Sequence, residues 1–545
     1  MHKEHVIFCG GVPIGKPKGV EVHELRLGRD EKQRQIRLDT ESITKKMLAE
    51  LPPVLHDLLE VATYVYVADQ MISRGGPRHF DYGDEWNRRL NFRIPVREYD
   101  TWSAANVKEL LEETVSFVSG STCTFEFVAQ EADKFPQFLR LTEDKEPTYR
   151  YDEVILFSGG LDSFTGAVEE SVEQNKLPIL VGHQSNSKLL SLQRTLYEHL
   201  VGLRPPGPQP LHVPVLINKD KRLTHETSQR TRSFLYGSLG TVVAQMFGLN
   251  RVRFYENGIV SCNLPFDGQT LQAKATRSTH PKFLHLLSEL ITSLLDKDFC
   301  FENPYFGKTR TEVCMKLKEL HHEACIQSTR SCAKSPYHKG KEHCGTCSQC
   351  IDRRFATLAS KCEEFDPAWR YALDIFTDEL TNTHDRTMAA GYVGFATQLE
   401  GMTPDSFVRR FSSDVQQIAK YVGTEGQEVA LNILFYLHEP QAHSVNMVMD
   451  QQLKVNIPAV RKGVLPDTCL VSMVAAKKHL DIGQMLKEYE EKSKKHAKGG
   501  LNSEVKRMLD LHPSWDAEKI AKEIGNTTAD AVRHTQDWQD RRLKT

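Results

Sequence analysis

Two short stretches of this chain carry residue types at spacings that suit chemistry. The first is Phe157-Ser158-Gly159-Gly160-Leu161-Asp162-Ser163, where the apolar run Val154-Ile155-Leu156-Phe157 meets paired glycines and small hydroxyls. Adjacent glycines let a backbone turn tightly at a strand end and approach a ligand with no Cβ in the way. Ser158, Ser163 and the amides of a helix starting there can then cradle an anion such as phosphate. Asp162 is the unusual member, because a carboxylate beside phosphate repels it. Its presence calls either for Mg²⁺ between the two or for a role in ordering the loop through backbone amides. The second stretch is Cys332 followed by Cys344-Gly345-Thr346-Cys347-Ser348-Gln349-Cys350. Four thiolates complete a tetrahedral zinc shell with no open position, which staples a fold and activates no water. An iron–sulfur cluster is the alternative, since spacing does not name the metal.

Three basic residues join Asp162 as the expected catalytic set. Arg230 and Arg232 stand at a helix start in Arg230-Thr231-Arg232-Ser233-Phe234, and Lys308 lies in Gly307-Lys308-Thr309-Arg310-Thr311-Glu312. Arginine bridges phosphate or carboxylate oxygens, whereas lysine brings a mobile positive charge to departing pyrophosphate. Alone, each would read as an ordinary surface residue; beside the glycine loop, Lys308 and at least one arginine are expected in its pocket. His343 and His338 flank the cysteines without being required as ligands, and Cys314, Cys325 and Cys362 read as ordinary thiols.

Elements must bring these distant groups to one place. From Val154 the rhythm is α/β: strands at Val154–Phe157, Pro178–Val181, Leu211–Ile217 and Val252–Tyr255 alternate with helices through about Glu173, at Lys188–Leu200 and at Ser233–Phe247. Repeated βα units predict a mainly parallel sheet covered by helices, with ligands beyond the C-terminal strand ends. Residues 1–145 read as an α+β module of different material. It opens with the short apolar run Val6–Phe8 and reads as strands near Val20–Leu27, Asn91–Val96 and Thr122–Phe127, with helices at Leu51–Met71 and Ala105–Val118. After Asp366-Pro367 the pattern is mainly helical, including Val429–Leu437 and Gln484–Lys492, with a polar connector over Glu490–Gly500 and a final polar helix and tail over Thr527–Thr545. Three regions result: 1–145, 152–362 and 366–545.

Composition bounds the rest. A chain of 545 residues, 39 % hydrophobic, can bury an extensive core and exceeds one small domain. Seventy basic against 72 acidic side chains leave a formal charge of −2, so no global basic field points to nucleic acid. No stretch approaches a membrane span, and no apolar signal core follows Met1-His2-Lys3-Glu4-His5, so the expected location is the cytoplasm. Six of the twelve cysteines crowd between 314 and 350, which in a reducing compartment favours metal over disulfides.

The glycine loop lacks the Gly-x-x-x-x-Gly-Lys spacing of a Walker loop and the Gly-x-Gly-x-x-Gly of dinucleotide sites. It resembles the PP-loop of ATP pyrophosphatases, the adenine-nucleotide alpha-hydrolase (HUP, Rossmann-like) class. That resemblance implies attack on the α-phosphate of ATP, with an adenylate intermediate, AMP and pyrophosphate. Together with His343-Cys344-Gly345-Thr346-Cys347-Ser348-Gln349-Cys350-Ile351-Asp352-Arg353, it resembles the 7-cyano-7-deazaguanine synthase family. Gly182-His183-Gln184, Arg230 to Phe234 and Lys308 to Glu312 follow that family's order, and about 210 of the 545 residues are covered. The resemblance implies ATP-dependent activation of 7-carboxy-7-deazaguanine, with Mg²⁺, structural zinc and ammonia as acceptor, giving an amide and then a nitrile.

Departures accompany the likeness. Thr231 stands where the family commonly has asparagine, the segment after Asn257 lacks the family's substrate wording, and large flanking regions are added. The longer architecture resembles synthase-like proteins of bacterial antiviral operons, including the Qat and cyclic-oligonucleotide defence systems. This implies an operon-encoded protein amine as a further acceptor for a deazaguanine-like small molecule, and a homo- or hetero-oligomer. Competing readings are a tRNA-modifying PP-loop enzyme, and a catalytically silent nucleotide-binding subunit of a defence complex.

Overall fold

In strands β4 (Arg89–Val96) and β5 (Thr122–Ala129), alternate side chains turn inward, so Leu90, Phe92 and Ile94 face the core beside Cys123, Phe125 and Phe127. Such period-two burial is the signature of a half-covered sheet. With β1 (Glu4–Cys9) and β2 (Glu21–Leu25) they form a four-stranded sheet in the order β2-β1-β4-β5, parallel throughout. The structure is a computed structural model that describes residues 4–15, 18–27, 35–39, 43, 51–74, 87–130, 150–226, 228–265, 276–333, 340–422, 426–476 and 516–524. The expectations for Gln484–Lys492, Glu490–Gly500, Thr527–Thr545 and His338 lie outside those residues.

Residues 1–145 were expected as α+β, yet this parallel sheet is wired as α/β. The cause is the crossovers: helices Pro53–Met71 and Ala105–Ser119 carry the chain back between strands, and parallel neighbours require such returns. Proline at the first turn suits the start of helix Pro53–Met71, where its missing N–H is no loss. Beyond Leu58 that helix is buried almost all round, because it shares a core with the first sheet and also packs on helix Arg232–Met246.

The second sheet has the order β10-β9-β6-β7-β8-β3. Its strands are β6 (Glu153–Leu156), β7 (Pro178–Gln184), β8 (Leu211–Lys219), β9 (Arg251–Arg253) and β10 (Cys300–Glu302), all parallel, plus β3 (Ile36–Asp39), which runs antiparallel against β8. β6 and most of β7 are buried on both faces, which explains their continuous apolar runs. Within the parallel part the first strand is central, the next two lie on one side and the last two on the other. This is the doubly wound order, and it opens a crevice between β6 and β9 where the winding reverses.

Beyond residue 366 the described residues hold helices and no strands, namely Thr383–Glu400, Pro404–Arg410, Ser412–Ala419, Gln427–Arg461, Leu470–Ala475 and Ala517–Ile524. Leu399, Phe407, Val415, Leu434 and Leu470 join the first five around one apolar cluster that also takes in Ile351 and Phe355. No helix among the described residues is long and apolar enough to cross a membrane.

Candidate functional site

The ladder of β6 ends where the Phe157 amide donates to Val181 O at 2.7 Å, and the chain then turns. Gly159 takes φ +84°, a conformation that costs other residues about 1–2 kcal/mol, and an added Cβ there would meet Leu192 at 3.0 Å. Gly160 caps helix Leu161–Val168 without any side-chain cap. Leu161, Asp162 and Ser163 of that first turn line the crevice, so backbone amides that no side chain caps bring partial positive charge to it beside the Asp162 carboxylate. Ser158 Oγ lies 3.0 Å from Ser163 Oγ and accepts from the Gly160 amide at 3.2 Å, so the hydroxyls close the turn on itself. Phe157 is fully buried, its side chain packed beneath the helix, and supports the loop without lining the crevice.

Asp162 is tied down by its neighbours. Its Oδ2 accepts from the Asn257 amide at 3.0 Å and from Asn257 Nδ2 at 2.8 Å. Its Oδ1 lies 3.3 Å from Arg310 Nε, and the same guanidinium reaches Asp352 at 3.3 Å and Glu256 at 3.5 Å. These contacts link the loop after β6 to the loop after β9. Three carboxylates around one guanidinium leave surplus negative charge. Accordingly burial, and then the charge of Asp162, push the Glu256 carboxyl up to about 8, and burial also raises Asp352.

Above this base lies a cleft of about 550 Å³, the size of a small-molecule site. Ser158, Gly160 and Ser163 form its floor, and Arg232, Arg310 and Arg330 contribute cations to its walls. Arg232 also stacks over the Tyr236 ring, 5.3 Å from its centroid. A second chamber of about 250 Å³, mostly apolar, shares Val260, Thr276 and Gln349 with the cleft and is walled by Met388, Tyr392 and Phe395 of the C-terminal helices.

Two of the four expected catalytic residues are elsewhere. Arg230 is buried against residues 1–145, where burial and then the charge of Arg74 lower its guanidinium to about 9. Its surroundings are organised by Asp69, which pairs with Arg74 at 2.7 Å and with Arg88, and accepts from the Thr231 amide at 3.2 Å. Lys308 lines a different cavity, with Glu169, Arg253 and Tyr305. The residues that sequence reasoning passed over are Arg310, Arg330, Glu256, Asn257 and Asp352. The Lys308–Glu312 segment did flag the neighbourhood of Arg310, but nothing local marked the others.

The sulfurs of Cys332, Cys344, Cys347 and Cys350 all lie within 4.8 Å of one another. Zinc–sulfur bonds of about 2.3 Å set tetrahedral sulfurs roughly 3.8 Å apart, and Cys344 Sγ lies 3.8 Å from Cys350 Sγ. The donor set therefore fits a metal such as zinc. Gly345 makes the turn possible at φ +87°, where a Cβ would collide with Leu373 O, and the Cys347 amide donates to Cys344 Sγ at 3.3 Å. His343 is buried and stacks on Tyr371, outside the four-donor group. Arg353, from the same helix as Cys350, pairs with Asp366 at 3.1 Å and donates to Thr329 Oγ1 at 2.9 Å. It thus braces the segment whose next residue, Arg330, donates its amide to Gly159 O at 3.0 Å.

These features define an α/β protein with a cleft at the switch point of a mostly parallel sheet and a four-cysteine group beside it. No protein-family model matches the chain, and no curated protein sequence matches it.

Proposed function

We propose that the chain is an ATP-dependent enzyme that adenylates a carboxylate of the 7-carboxy-7-deazaguanine kind and passes the acyl group to nitrogen. The observation that carries the reading is the uncapped helix start at Gly160, opening with its serines onto a cleft whose walls supply Arg232 and Arg330. Such a floor and such walls favour a polyphosphate. The likeness of the loop and the cysteine segment to the deazaguanine synthase family supplies the substrate class, and the added regions point to a role in antiviral defence.

In the reaction, a carboxylate oxygen attacks the α-phosphorus, the bond to the oxygen bridging toward the β-phosphorus breaks, and pyrophosphate leaves with the bonding pair. A nitrogen nucleophile then attacks the acyl carbon, AMP departs, and the nitrogen gives up its proton to water. Repetition on the amide oxygen with a second ATP would give the nitrile. The Gly160 loop holds phosphate oxygens, Arg232 and Arg330 offset charge that grows on the leaving group, and Arg310 keeps Asp162 and the loop in register. Mg²⁺ would supply further charge neutralisation when bound; with Asp162 already engaged, Glu256, giving up its proton to the cation, and the serine hydroxyls are the oxygens that would hold it. The thiolate group braces the wall and takes no part in bond making. The adjoining apolar chamber has room for the non-nucleotide partner.

The test incubates the full chain with α-labelled ATP, Mg²⁺ and 7-carboxy-7-deazaguanine, with and without ammonia or a protein amine. AMP and pyrophosphate are the expected products, with Arg232→Ala more damaging than Lys308→Ala. ADP as the sole nucleotide product overturns the bond assignment. Tight ATP binding with no AMP favours a nucleotide-binding subunit, and equal losses in the two variants overturn the cleft assignment.

A further inference from the structure

A second group of metal-ligating side chains lies far along the chain from the cysteines. The parallel register of β1 and β2 sets His5 opposite Glu21 and Ile7 opposite His23. Because strand side chains alternate, His5, Glu21 and His23 project to one face, beside Ile7, Cys9 and Leu25 that enter the core. His5 Nδ1 lies 3.1 Å from His23 Nε2 and 3.3 Å from Glu21 Oε2, and all three donor atoms fall within 4.8 Å of one another.

A single ring nitrogen facing both another ring nitrogen and a carboxylate oxygen can give its hydrogen to only one of them at a time. The three atoms are close enough together for one cation to contact them all. Metal–nitrogen bonds of about 2.0–2.1 Å at tetrahedral angles hold neighbouring donors roughly 3.3 Å apart, which the two separations from His5 match. We infer that His5, Glu21 and His23 form a second metal site, which takes a divalent d-block cation such as Zn²⁺ and leaves a fourth position for water. Two imidazoles and a carboxylate suit Zn²⁺ or its neighbours better than Ca²⁺ or Mg²⁺, and lack the sulfur that marks the cysteine group. Among the described residues β2 is an edge strand with β1 as its one neighbour, so a bound ion would clasp the rim of the sheet. His5 is buried, while Glu21, with 48 % of its side chain exposed, keeps the site open to solvent.

The experiment titrates the full chain with Co²⁺ after mild chelation, following visible ligand-field absorption and metal equivalents per chain. Thiolate ligation adds an intense near-ultraviolet charge-transfer band, and a nitrogen–oxygen site does not. Expected is a component without that band, lost in His23→Ala along with one equivalent of metal, while the thiolate band is unchanged. Glu21→Gln, at an exposed position, should weaken the same component about tenfold or more with an unchanged circular dichroism spectrum. Binding of equal stoichiometry and affinity in the wild type and Glu21→Gln overturns the site, as does a wild type that takes up cobalt only with the thiolate band.

Discussion

Replacing Arg310 by methionine tests the electrostatic base of the cleft most directly. The guanidinium is 2 % exposed and lies within 3.5 Å of Asp162, Glu256 and Asp352. Methionine keeps much of the volume and removes the charge. Breaking a buried ion pair from one side costs about 3–5 kcal/mol, because the remaining carboxylates are left uncompensated in a poorly solvated place. For a cooperative unit of about 150–250 residues, each kcal/mol moves the melting temperature by about 2–4 °C, so a fall of roughly 10 °C is expected near pH 8. The deficit should also depend on pH. Arg310 opposes the upward shift that burial gives the Glu256 and Asp352 carboxyls, so without it both sit further above their unfolded-state values, and a group raised on folding contributes stability that is lost as pH rises through its folded value. The gap between variant and wild type should therefore narrow on going from pH 8 to pH 5.5. Scanning calorimetry at the two pH values reads both quantities, and Arg310→Lys should recover part of the loss. A pH-independent gap, or one that widens in acid, would refute the reasoning.

Cys347→Ser should release the metal of the four-cysteine group and lower stability by several kcal/mol, read by metal analysis and thermal melting; unchanged metal content removes Cys347 from the ligand set. Gly159→Ala should cost about 1–2 kcal/mol and depress ATP turnover, since φ +84° and the nearby Leu192 both oppose a Cβ; wild-type turnover would mean the turn tolerates rearrangement. Three buried imidazoles should make the protein acid-sensitive. Burial, and then the charge of Arg232, lower His183 to about 3, burial and Arg277 lower His280 to about 3, and burial lowers His438 to about 4. Their contribution is present above the unfolded value of about 6.5 and declines as pH falls toward the folded ones, by roughly 2 kcal/mol per imidazole at pH 5. His183→Gln should flatten the melting profile between pH 7 and pH 5; an unchanged slope counts against this account.

The glycine loop was legible because all its parts are consecutive: an apolar strand, two glycines, small hydroxyls and a helix. The cysteine group was legible for the same reason, with three of its four donors inside seven residues. Which cation faces the cleft was not. Thr309 caps helix Arg310–Glu319 through a capping box with Glu312, so Arg310 enters the first turn and points inward while Lys308, before the cap, turns toward another cavity. The same reversal separates Arg232 from Arg230, whose surroundings come from Asp69, Arg74 and Arg88, more than a hundred residues upstream. Long-range partners leave no trace in local spacing. Nor did the four residues of β3 announce themselves, being too few to show a period.

Those four residues reach beyond their own neighbourhood. Ile36 to Asp39 seal the outer margin of β8, so the segment 152–362 does not possess its whole sheet and borrows the last strand from chain laid down earlier. Cut out and expressed by itself, that segment would bare the amides and carbonyls of β8 from Leu216 to Lys219 to any passing strand. A shortened version made to isolate the chemistry would tend to stick to its own copies, and keeping the first 39 residues attached is the simplest protection against that.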